Sequence, residues 1–137
     1  METTENKKSE RRSLNDEFLG FRGSEEYFKH SSLFPDYYIT QGVKHIIEKC
    51  GLCWFLDVVL SYQIKKIVKS LHFQTWKLER QPEGSLNPWK VVLYDSDAKK
   101  ILSQNFKMID LTDNYEENFD VFKIYLANKI AYLPTEE

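Results

Sequence analysis

The sequence predicts an α+β domain in which N-terminal helices pack on one face of an antiparallel sheet of four to five strands. Three observations lead there. Apolar residues recur at helical spacing only between Thr40 and Leu71, they alternate after His72, and the connections between segments are short. A chain of 137 residues, 42% hydrophobic and 15% aromatic, suits one domain with a core of its own.

Residues 1–15 are read as a disordered polar tail and 16–137 as the single domain. Lys7, Lys8, Arg11 and Arg12 are diluted there by Glu2, Glu5 and Glu10, so a solvated tail is favoured over a nucleic-acid-binding arm. Leu19 to Tyr38 is aromatic and broken by Gly20, Gly23 and Pro35. Ser24 is read as the cap of a short helix through Glu25, Glu26, Tyr27 and Phe28.

Thr40 is the predicted N-cap of an amphipathic helix whose inner face is Val43, Ile46, Ile47 and Cys50, ended by Gly51 in a left-handed conformation. A second helix, Cys53–Gln63, is apolar nearly all round and is expected to be buried. It continues, as one helix or two, with Ile64, Ile67, Val68 and Leu71 inward and Lys65, Lys66 and Lys69 outward.

Phe73 to Glu79 alternates as a strand with Trp76 and Leu78 on one side, and the Pro- and Gly-rich stretch 81–88 is a loop. Trp89–Tyr94 and Ile101–Ile109 follow as strands around a turn at Asp95–Ala98. Thr112–Asn118 is an acidic connection. Phe122–Leu126 and Ile130–Leu133 close the chain as a hairpin, with Asn128 supplying a left-handed turn residue.

The formal net charge of −2 lacks the basic excess of a general nucleic-acid binder. Two cysteines are too few for a disulfide scaffold, and the polar N-terminus holds no signal-peptide core, so a cytoplasmic protein is expected. The longest apolar stretch is too short to span a bilayer. Phosphate-binding Gly-rich loops, Gly-x-Ser-x-Gly, His-Glu-x-x-His and Cys/His clusters are all missing from the text, leaving hydrolase, nucleotide-binding and zinc chemistry without motif support.

Cys50-Gly51-Leu52-Cys53 resembles a redox motif, but Cys50 ends a helix, the wrong dipole end for a low-pKa thiolate, so both are read as buried small hydrophobes. Asp57, Ser61, Tyr62 and Gln63 are polar within an apolar helix and demand partners. With Trp54 and His45 they are the candidate ligand or partner residues. A hydrogen-bond cage around Asp57 that merely locks the fold is the structural reading of the same residues. Trp54, Trp76 and Trp89 are read first as core.

The segments Phe21–His30, Thr40-Gln41-Gly42-Val43, Gly51–Gln63, Phe73–Leu78 and the closing Leu133-Pro134-Thr135-Glu136 resemble a family of bacterial proteins of unknown function. The resemblance implies an accessory or mobile-element gene context and is silent as to activity. The function expected is a non-enzymatic protein-interaction module with an aromatic-rich face and no cofactor or metal. The alternatives are a small-ligand binder or small enzyme with a pocket around Asp57, Ser61, Tyr62 and His45, and a nucleic-acid binder using Lys65, Lys66 and Lys69.

Overall fold

The computed structural model describes residues 26–82, 84, 86–106 and 120–136. The tail, Ser24 and Glu25 of the predicted first helix, and the acidic connection lie outside the described residues. The elements run β1 (Tyr27–Lys29), β2 (Tyr38–Thr40), α1 (Gln41–Cys50), α2 (Cys53–Ser61), a 3₁₀ turn (Tyr62–Ile64), α3 (Lys66–Lys69), β3 (Phe73–Arg80), β4 (Trp89–Tyr94), β5 (Lys100–Phe106), β6 (Val121–Ala127), β7 (Ile130–Tyr132) and a closing 3₁₀ turn (Pro134–Glu136).

The strands form one sheet of seven, ordered β1-β2-β7-β6-β3-β4-β5. All neighbours are antiparallel except β2 and β7, which pair in parallel through Tyr38 with Ile130 and Ile39 with Ala131. The expectation of four to five strands was therefore low. Tyr27 and Phe28, assigned to a helix from the residues, lie in β1 instead, paired with Thr40 and Ile39. Three-residue strands leave no run of alternation to read, and their pairing depends on a partner at the far end of the chain.

The antiparallel centre follows its pattern. Trp76 faces Ile124 and Leu93, and Leu78 faces Phe122 and Val91, so one side of β3, β4 and β6 is continuously apolar. Against it pack Val43, Ile46, Ile47 and Cys50 of α1 and Phe55, Leu56 and Val59 of α2, all buried. On the other side Lys77 stands directly opposite Lys123. Each ammonium lies near a ring, Lys77 4.9 Å from Tyr94 and Lys123 5.7 Å from Tyr125, which offsets part of the like-charge repulsion.

α1 begins as predicted, with Thr40 Oγ1 accepting from the Val43 amide at 3.3 Å, and ends at Gly51 with φ 72°. The Gly51 and Leu52 amides both donate back to the Ile47 carbonyl, which closes the helix and turns the chain into α2. α2 is not apolar all round: Cys53, Asp57 and Ser61 form an exposed stripe one helical turn apart. The continuation breaks at Lys65, whose backbone is extended, and α3 is a single turn. Ile64 and Ile67, expected inward, are 77% and 62% exposed. The break rotates them off the core, leaving Val68 to fill the space beneath.

Candidate functional site

The polar residues of the α2 segment separate into three environments. Asp57 is neither caged nor at a pocket wall: it is exposed and accepts from His30 Nε2 at 2.7 Å, tying α2 to the loop after β1. Ser61 donates to the Val58 carbonyl at 2.7 Å, a bond made within its own helix. Tyr62 donates to Gln104 Oε1 at 2.6 Å while its ring packs 5.7 Å from that of Trp76, fastening the helix end to β5 and β3. His45 lies exposed on α1, away from these groups in sequence and engaged in interactions of its own.

Gln63 is the buried polar group of the set. Its carboxamide and that of Gln74 on β3 bond reciprocally, Gln63 Nε2 to Gln74 Oε1 at 2.9 Å and Gln74 Nε2 to Gln63 Oε1 at 3.0 Å. Gln63 also donates to the Val59 carbonyl and Gln74 to that of Val68, each at 3.0 Å. Trp76 Nε1 then donates to Gln74 Oε1 at 2.8 Å. All four amide hydrogens are used, so the pair closes the polar ends of the helices inside the core without an orphaned donor.

Trp54 differs. It is half-buried, with its ring 5.3 Å from Phe106, and its indole N–H is enclosed without an acceptor among the described residues. Cys50 is buried as expected, but Cys53, expected buried too, is exposed because it starts the outward stripe of α2, and the two form no disulfide. Partial desolvation of its sulfur, then the charges of Asp57 and Glu48, push the Cys53 thiol up, which disfavours the thiolate a nucleophile needs. Among the described residues no group of three or more His, Cys, Asp or Glu is placed to hold a metal ion.

Glu136, absent from the sequence-derived candidates, is an organising carboxylate. Its Oε1 accepts from Thr40 Oγ1 at 2.6 Å and from the Leu133 amide at 2.9 Å, and its Oε2 accepts from the Gly42 amide at 3.2 Å. A negative group thereby sits on the positive end of α1. A side chain at Gly42 would put its Cβ 2.7 Å from that carboxylate and 2.8 Å from Leu133 Cδ1, so glycine is what admits it. The signal was present as Thr40-Gln41-Gly42 and Leu133-Pro134-Thr135-Glu136, but nothing local joins segments ninety-six residues apart.

Two clefts flank the β6–β7 turn. One, of about 260 Å³, is lined by Tyr27, Thr40, Tyr132 and Glu136 among others. The second, of about 210 Å³, brings Gln63 and Lys69 together with Tyr37, His72, Asn128 and Lys129. The lysine trio is thus divided: Lys69 borders a cleft, while Lys65 lies 5.9 Å from the Tyr62 ring.

No helix among the described residues is long and apolar enough to cross a membrane. Comparison with known proteins adds one match: a model of a family of unknown function (DUF6876) covers residues 12–137. Nothing among the curated proteins or the solved structures matches the chain.

Proposed function

We propose that this chain, which belongs to the family of unknown function DUF6876, is a non-enzymatic protein-interaction module that docks an acidic, apolar segment of a partner on the surface around α3. The observation that carries the reading is the pair Ile64 and Ile67, 77% and 62% exposed and interleaved with Lys65 and Lys66. Each isoleucine forgoes roughly 1.5–3 kcal/mol of burial by standing in water. An occupant with apolar side chains and carboxylates answers both residue types. A cytoplasmic protein of a bacterial accessory or mobile-element gene accompanies this reading.

The ligand reading around Asp57, Ser61 and Tyr62 draws no support from the clefts, neither of which those residues line.

The test is a synthetic peptide library in which leucine alternates with glutamate or with lysine. The glutamate peptides are expected to bind and the lysine peptides to fail. Ile64→Asp should abolish binding while leaving the melting temperature within about 2 °C, because the side chain is exposed. Equal binding of both libraries, or binding indifferent to Ile64→Asp, sinks the reading. Retention of a mixed oligonucleotide that falls steeply with salt would instead favour the lysines as a nucleic-acid contact.

A further inference from the structure

We infer that the smaller cleft is a binding site for a small organic phosphate. Lys69 at the end of α3, His72 just before β3 and Lys129 in the β6–β7 turn converge on it, and no Asp or Glu lines it. None of the three makes an ion pair among the described residues. Two further residues that carry neutral donors, Tyr37 and Asn128, line the same space. Burial, with the charge of Asp36 second, pushes the Tyr37 phenol up and keeps it a donor. A volume of about 210 Å³ admits a phosphate and a few carbon atoms.

A second, independent observation comes from the backbone. Asn128 and Lys129 have φ of 54° and 65°, the arrangement of a two-residue turn that favours Asn followed by Gly. The second position here is lysine, which pays a conformational cost that glycine avoids and gains no ion pair for it. A lysine at a left-handed position on the rim of a cleft that Lys69 also lines points to a ligand that uses the charge. The two charged groups, Lys69 and Lys129, are ammonium rather than the planar guanidinium fork, and ammonium groups suit phosphate as point charges.

Lys129→Gly provides a test in which loss of binding is separable from loss of fold, since glycine relieves the turn. With the full chain, calorimetric titration is expected to give saturable binding of glycerol 3-phosphate and weaker binding of inorganic phosphate. Lys129→Gly should weaken glycerol 3-phosphate at least about fivefold while raising the melting temperature. Lys69→Gln should weaken it to a similar degree. Failure of glycerol 3-phosphate to saturate, or affinity unchanged in Lys129→Gly, overturns the proposal. Equal affinity for the two probes overturns the organic part of it and leaves a free-phosphate site. Tight binding of a phosphoserine peptide with none of glycerol 3-phosphate overturns the small-molecule assignment in favour of a phosphoprotein.

Discussion

Glu136 and Gly42 meet so closely that ordinary helix propensity should be reversed. In a free helix, Gly→Ala gains up to about 1 kcal/mol. Here the added methyl displaces either the carboxylate that accepts from Thr40 and Gly42 or a buried leucine, at roughly 1–3 kcal/mol. Gly42→Ala is therefore expected to destabilise the protein by about 1–2 kcal/mol in urea unfolding. The penalty should shrink in a Glu136→Ala background, where only Leu133 still crowds the position; an unchanged penalty would locate the clash at Leu133 alone. At the same scale, the raised thiol of Cys53 should make its alkylation slow at neutral pH. The rate should climb as the pH passes above the ordinary thiol value of 9.0, and mass spectrometry of labelled Cys53 against buried Cys50 reads it directly.

Between elements, the fastening is the carboxamide pair that joins the 3₁₀ turn after α2 to β3. Gln74→Leu removes the acceptor of Trp76 Nε1 and both bonds between the two carboxamides at once, leaving Gln63 only its bond to the Val59 carbonyl, so about 2–4 kcal/mol should be lost in denaturant unfolding. The double replacement Gln63→Leu/Gln74→Leu should cost less than the sum of the two singles, because neither amide is left stranded. Additive losses would mean that the two side chains act separately. This junction also marks what could be read from the residues. The helices at Thr40 and Cys53 and the central strands were legible because spacing, capping and alternation are local properties. Gln63 was correctly marked as a polar residue needing partners, but its mate on β3 could not be named. Asp57 was misplaced for a related reason: aliphatic neighbours on both sides made the helix look apolar all round, yet four-residue spacing aligns Cys53, Asp57 and Ser61 outward.

Over the whole molecule, the parallel pair β2–β7 joins the beginning of the described chain to its end, and Glu136 locks that junction onto α1. Removing residues 134–137 should therefore damage a helix that starts near residue 40. The expected result is a melting temperature lower by roughly 10 °C, with amide exchange accelerated at the first turn of α1. Faster exchange confined to β7 would show that the clasp carries little of the stability. Most of the long-range order in the small half of the sheet depends on such contacts, which slows folding relative to the hairpin-linked centre.

The clasp also has a meaning in time. Thr40 and Glu136 are ninety-six residues apart, so at a synthesis rate of about 5–20 residues per second the cap of α1 waits roughly 5–20 s for its carboxylate. Until then the first helix has its own threonine but no negative charge at its positive end, and β2 has no β7 beside it. The sheet centre can assemble while the small half stays open, so the turn Pro134–Glu136 acts as the latch on the start of α1.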